Sequence, residues 1–305
     1  MQIILAKPRG FCAGVVRAIK TVERALEFYD IAIYVLHEIV HNPHVVGDLK
    51  KKGARFVETL DEIPMGAVVI FSAHGVSTAV VEEAEKRNLK VIDATCPLVT
   101  RVHLQAQRYS RSGFEVILIG HPGHPEVEGT RGRIEGPVYV ISRSSEVKNL
   151  QVKNPDRLAY VTQTTLSLDD TREVIDALER RFPTIQGPDL SDICYATQSR
   201  QTAVRQLSKD MDLLLVVGAR NSSNSNRLRE VGEQSGIRSY LIESEDDIES
   251  KWFPKNAKVG VTAATSAPEA MVQKVLDKLR TFGVSTVTEM EGEPEGIQFR
   301  LPDSL

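Results

Sequence analysis

Short apolar runs alternate along this chain with longer segments whose apolar residues recur every three or four positions. The runs lie over residues 2–8, 31–36, 67–72 and 90–93, then 115–120, 137–142 and 158–162, then 213–219, 239–243 and 258–263. Stretches such as "VRAIKTVERALEFY", "TREVIDALERRF" and "TAVRQLSKDM" separate them. A strand period followed by a helix period, repeated, is the pattern of βα units and predicts an α/β fold with mainly parallel sheets. The strands fall into three groups without any sequence repeat. They predict three small α/β lobes over 1–96, 97–193 and 194–282, with a C-terminal tail over 283–305. The tail's "GIQFRLP" alternates apolar and polar residues, so it is expected to add a strand or to pack back on the body.

Bulk properties exclude several classes of function. The 305 residues carry a net charge of −3. There is no basic excess to meet a polyanion, so no nucleic-acid partner is expected. No apolar run approaches the ~20 residues of a membrane span. The opening "MQIILAKPRGFC" lacks the pattern of a secretory leader, and a cytoplasmic protein is expected.

The three cysteines, Cys12, Cys96 and Cys194, are 84 and 98 residues apart, about one α/β unit each. An odd number without an export signal argues against disulfides. Each lies where a strand gives way to a helical pattern, and Cys96 is followed by Pro97, a residue favoured at the first helical position. A helix N-terminus favours the thiolate, the form that binds metals. Structural zinc usually draws on at least one close cysteine pair, absent here. An iron–sulfur cubane held by three cysteines keeps one iron open for a substrate oxygen. The spacing alone leaves zinc, cluster and inert buried thiols all open.

Two further strand ends in each group carry histidines, hydroxyls or amides. They bring His37, His41 and His44, then His74, then "HPGHPEVEG" with His121, His124, Glu126 and Glu128. Thr164 and Thr165 follow, then Ser222, Ser223 and Asn224, then Ser266. Ligands of open α/β sheets bind at the carboxyl ends of strands. Capping hydroxyls and histidines there form a donor-rich pocket with few Lys or Arg, suited to a phosphorylated ligand. A partly desolvated Glu126 would serve as an acid near neutral pH, with Glu128 as its rival.

The segments "GFCAGVVRAI", "EIVHNPHVV", "FSAHGVS", "DATCPLVTRVH", "GHPGHPEVEGT", "TQTTLS", "ICYATQSRQ", "NSSNSNRL" and "VTAATSAPE" together resemble the 4-hydroxy-3-methylbut-2-enyl diphosphate reductase (IspH or LytB) family. The resemblance runs in order from Cys12 to about residue 270. It implies a three-lobed, pseudo-threefold α/β protein around a central [4Fe-4S] cluster, with Cys12, Cys96 and Cys194 as ligands and one iron open. It implies His41, His74, His124, Ser222, Ser223, Asn224 and Ser266 as diphosphate donors, Thr164 beside the substrate hydroxyl, and Glu126 as the proton source. The implied reaction is reductive dehydroxylation of an allylic diphosphate to isopentenyl and dimethylallyl diphosphate, the last step of the non-mevalonate pathway. No flavin or nicotinamide fingerprint is visible, so the electrons are expected from a ferredoxin or flavodoxin. Two other readings of the residues are a non-redox iron–sulfur hydro-lyase on a phosphorylated substrate and a phosphate-binding protein with structural zinc.

Overall fold

The computed structural model describes residues 1–293 and 295–305. Elements follow in the order β1 (Gln2–Leu5), α1 (Ala13–Phe28), β2 (Ile33–Leu36), α2 (Pro43–Lys51), β3 (Arg55–Val57), β4 (Val68–Phe71), α3 (Thr78–Lys86) and β5 (Lys90–Asp93). Next come α4 (Pro97–Arg111), β6 (Glu115–Ile119), α5 (Pro125–Arg131), β7 (Val138–Ile141), α6 (Ser144–Val147), β8 (Leu158–Thr162), α7 (Leu168–Arg181) and α8 (Tyr195–Ser208). The last are β9 (Leu213–Val217), α9 (Ser223–Gln234), β10 (Arg238–Ile242), β11 (Lys258–Ala263), α10 (Glu269–Arg280) and β12 (Thr286–Glu289). Among the described residues every strand pairing in the sheets is parallel. The protein is therefore α/β with three small parallel sheets. No helix among the described residues is long and apolar enough to cross a membrane.

The residues gather into two compact units. The first comprises Met1–Val15, His41–Val45 and Tyr195–Gln298. Its sheet has the order β10-β9-β11-β1-β12. Leu213, Leu215 and Val217 of β9 enter one core with Val261, Val272 and Leu276. Leu214 and Val216 enter another with Val204, Leu207 and Leu228. Burial on both faces is why β9 reads "LLLVV" rather than alternating, as parallel strands between helices do.

The grouping of strands read from chain order placed residues 2–8 with 31–93. The structure instead pairs Ile3 with Val259 of β11 and with Val287 of β12. Ile3 and Leu5 complete the core built by β9, β11 and α10, a contact of long sequence separation that local pattern does not encode. The tail's strand is β12, one position beyond β1, whereas 296–302 forms none.

The second unit comprises Val16–Val40, Val46–Cys194 and Phe299–Leu305. It holds the sheets β3-β2-β4-β5 and β7-β6-β8. Arg17 of α1 grips the loop after β5 through the carbonyls of Thr95 (3.0 Å) and Asp93 (3.3 Å), and its Nε donates to the Arg300 carbonyl of the tail (2.7 Å). Glycines let the two sheets' loops approach. The Thr78 N–H donates to the Gly132 carbonyl (3.1 Å), and a Cβ on Gly132 would lie 2.2 Å from the Ser77 Cβ. Gly129, on α5, faces the Gly75 carbonyl, which a Cβ would meet at 3.1 Å.

Gly132→Ala is therefore expected to destabilise the protein by about 1–3 kcal/mol through overpacking, although glycine-to-alanine changes at roomy sites are often stabilising. An unchanged midpoint in urea unfolding would refute this close approach.

Candidate active site

In the second unit the loops after β4, β6 and β8 build a connected constellation. The proline at the start of α5 leaves His124 as its N-cap, with the Glu126 N–H donating to His124 Nδ1 (3.1 Å). Because Nδ1 accepts, the ring proton of neutral His124 sits on Nε2. The rings of His74 and His124 meet edge to face with centroids 5.9 Å apart. Ser72 Oγ lies 3.3 Å from His74 Nδ1.

Glu126 is 3% exposed, whereas the Glu128 side chain, on the opposite face of the same helix, is 48% exposed and accepts the Gly123 N–H. Thr164 donates its N–H to Glu126 Oε1 (2.6 Å) and its hydroxyl to Oε2 (3.0 Å). Burial pushes the Glu126 carboxyl up to about 7, against the lowering by the Thr164 N–H and hydroxyl; the charge of Asp192 adds to the rise. A carboxyl with a value near neutrality is half protonated where an ordinary glutamate is ionised.

Each cysteine stands at a helix start. Cys96 caps α4, and Cys12 and Cys194 immediately precede α1 and α8. The Cys194 N–H donates to the Thr164 carbonyl (3.0 Å), so Thr164 joins the acid to a thiol-bearing turn. The Cys96 N–H donates to the Ala73 carbonyl (3.0 Å), one residue before His74. In the first unit the Cys12 N–H donates to the Thr265 carbonyl (3.3 Å). Burial pushes the Cys12 thiol up, while the N–H groups of Val15 and Gly14 and the charge of Arg200 pull it down. None of the three cysteines is in a disulfide. N–H donors at sulfur, at the positive end of a helix, suit a thiolate that ligates a metal group. Among the described residues no cluster of three or more His, Cys, Asp or Glu is placed to hold a single metal ion.

The first unit also gathers polar groups at the ends of β9 and β11. Ser222 caps α9, accepting the Ser225 N–H (3.3 Å). The Thr265 N–H donates to Asn224 Oδ1 (3.0 Å), which fixes the amide so that buried Nδ2 is left as an unpartnered donor. Ser266 donates its hydroxyl to the His41 carbonyl (2.9 Å). Thus His41, Ser222, Ser223, Asn224, Ser266 and Cys12 belong to the first unit, and His74, Cys96, His124, Glu126, Thr164 and Cys194 to the second. His37 instead pairs with Glu58 (3.2 Å), and His44 is exposed.

Sequence reading passed over several residues here. Gln163 accepts the His121 N–H (3.0 Å) and donates to Thr165 Oγ1 (3.0 Å), binding the two loops together. Asp192, 3% exposed, accepts the Thr162 N–H (3.1 Å), and burial raises its carboxyl. Its position two residues before Cys194 was the available signal. His103 of α4 is 5% exposed, and burial and the charge of Arg133 lower it to about 4.

A family model described as LytB protein matches residues 3–280. A protein of Acinetobacter baumannii named 4-hydroxy-3-methylbut-2-enyl diphosphate reductase is 55% identical, over 100% of this chain and 98% of its own length. One of the same name from Ectopseudomonas mendocina is 57% identical over the same shares. Among solved structures, the E-1-hydroxy-2-methyl-but-2-enyl-4-diphosphate reductase of Plasmodium falciparum is 37% identical, with a TM-score of 0.94 over 99% of this chain and 96% of that one. Another, (E)-4-hydroxy-3-methyl-but-2-enyl diphosphate reductase, described as the terminal enzyme of the non-mevalonate pathway, is 32% identical with a TM-score of 0.66 over 92% of this chain and 100% of that one. The family model and these full-length matches establish that the chain belongs to the LytB family of 4-hydroxy-3-methylbut-2-enyl diphosphate reductases.

Proposed function

We propose that the protein removes the hydroxyl of (E)-4-hydroxy-3-methylbut-2-enyl diphosphate as water, consuming two electrons and two protons and yielding isopentenyl and dimethylallyl diphosphate. The observation that carries this reading is the enclosed Glu126–Thr164 pair, bonded through the Thr164 carbonyl to the turn of Cys194. Family membership over the whole chain supports it. The reductase name shared by these relatives weighs against the non-redox hydro-lyase.

Cys12, Cys96 and Cys194 would hold a [4Fe-4S] cluster. When bound, its open iron supplies a Lewis acid for the hydroxyl oxygen and the cluster supplies electrons one at a time. The chain's own residues do the rest. Glu126, titrating near neutrality, holds the proton that the leaving oxygen needs, and the Thr164 hydroxyl stands next to it as the relay. His41, His74, His124, Ser222, Ser223, Asn224 and Ser266 bind the diphosphate. Donors such as Asn224 Nδ2 and the amides at the start of α9 hold an anion without a neutralising lysine. Anchoring the diphosphate fixes the carbon chain relative to Glu126. A cytoplasmic ferredoxin or flavodoxin supplies the electrons.

The test is iron and acid-labile sulfide content after purification without oxygen, followed by turnover with and without a one-electron donor. About four irons and four sulfides per chain are expected. Zinc without sulfide, or turnover without reductant, would overturn the proposal.

Two variants sharpen it. Glu126→Gln should keep the metal content and substrate binding but lose about 10²–10⁴-fold in kcat. Since the proton-bearing form of Glu126 is the active one, wild-type kcat should fall as pH rises through about 7. A variant with wild-type turnover would remove Glu126 from the acid role. Cys194→Ser should fail to retain a stable cubane, checked by the same iron and sulfide analysis; unchanged content would sink the three-cysteine site.

A further inference from the structure

Arg200 lies on the buried face of α8, between Ala196 and Ala203, and is 0% exposed. A guanidinium has five N–H groups and cannot shed its charge, so burial demands an acceptor for each and a counter-charge. The structure provides both. Nη1 donates to Glu295 Oε1 (2.7 Å) and to the Ala196 carbonyl (2.9 Å). Nη2 donates to Glu295 Oε2 (2.9 Å) and to the Gly10 carbonyl (2.8 Å), which also accepts from Nε (3.2 Å). The Arg200–Glu295 pair is thus a two-pronged fork, and Ser199 Oγ adds a bond to Glu295 Oε1 (2.8 Å).

The other end of the fork holds the turn that carries Cys12. Gly10 has φ of +68°, a left-handed conformation that glycine adopts freely. Its N–H donates to the Ala263 carbonyl (3.0 Å), and two residues on the Cys12 N–H donates to Thr265. The turn is therefore fastened on its amide side by β11 and the loop after it, and on its carbonyl side by Arg200. All these residues belong to the first unit. Remove the Glu295 carboxylate and Arg200 is a buried charge without its counter-ion, which the surrounding carbonyls only partly offset. The side chain is then drawn toward water, and the Gly10 carbonyl loses both donors.

We propose that Glu295, on the C-terminal tail, is a positioning residue that acts through Arg200 to hold the Gly10–Cys12 turn in the shape in which Cys12 ligates its metal group. The metal part rests on the reading of Cys12 as a cluster ligand; the fastening of the turn does not.

The test compares wild type with Glu295→Gln, which keeps shape and removes charge, and with Glu295→Asp, which keeps charge but shortens the reach. Hydrogen exchange is followed in the peptides covering residues 8–14 and 213–217, on the full chain as purified without oxygen and again after iron removal. In Glu295→Gln the 8–14 peptide should exchange about tenfold faster in both forms while 213–217 is unchanged. Iron loss to a chelator should also accelerate about tenfold, with Glu295→Asp intermediate in both readouts. Unchanged exchange at 8–14, or equal acceleration in 213–217, would overturn the proposal, the second because it marks a general loss of stability. If Glu295→Gln does not fold, Glu295→Asp carries the same comparison. Wild type without iron would defeat the cluster reading, while exchange in the iron-free chain would still decide whether Glu295 fastens the turn.

Discussion

Parallel pairing is the constraint on which the site depends. In a parallel sheet every strand delivers its carboxyl end to the same edge, and each crossover helix presents its free N–H groups near that edge. The second unit turns β4, β6 and β8 into the loops of His74, His124 and Thr164, while β5 leads to Cys96. The first turns β9 and β11 into the loops of Ser222 and Ser266, while β1 leads to Cys12. Glu126, the histidines, the hydroxyls and the thiols are thereby delivered to sheet edges by topology, before any side chain makes a specific contact. Antiparallel pairing of the same strands would send half of these loops to the opposite edge.

Within that frame, main-chain groups do most of the wiring. Thr164 spends its N–H and hydroxyl on Glu126 and its carbonyl on Cys194. Thr265 plays the equivalent part in the first unit, giving its N–H to Asn224 and its carbonyl to Cys12. In each unit one residue therefore links a polar group proposed to meet the substrate with a cysteine proposed to ligate the metal. The contrast between Glu126 and Glu128 shows how little sequence distance the chemistry needs. One faces the interior with its value raised to about 7, and the other faces solvent on the same helix.

Local pattern carried the reading of the strands, the helix starts at the cysteines and the polar loops, because periods of two and 3.6 and capping residues are local signals. What it could not carry is long-range. The partnership of β1 with β11 joins residues about 256 apart, Ile3 and Val259, and nothing in "QIIL" names its neighbour. "GIQFRLP" has a strand's alternation but pairs with none, whereas the polar "TVTE" of β12 lies along β1. Periodicity reports a half-buried surface, not the partner that satisfies the backbone. Arg200 and Glu295 were invisible for the same reason. Each reads as a solvated charge until the fold brings them together.

His103 illustrates the remaining kind of residue, one whose role lies in what it forbids. A Cβ on Gly75 would stand 2.5 Å from His103 Cε1 and 3.1 Å from Thr95 Cγ2, so the turn after His74 has room only for glycine there, at φ of +76°. Buried near Arg133 and held to about 4, His103 is neutral at physiological pH and packs as an apolar ring. Protonation would bury a charge whose Nε2 has no hydrogen-bond partner, and the charge of Asp93 only partly offsets burial and Arg133. The helix that Cys96 caps and the turn that carries His74 are therefore keyed by the shape of one neutral ring against one bare α-carbon. That contact sets how closely α4 approaches the His74 loop, and with it the spacing between a proposed metal ligand and a proposed diphosphate donor.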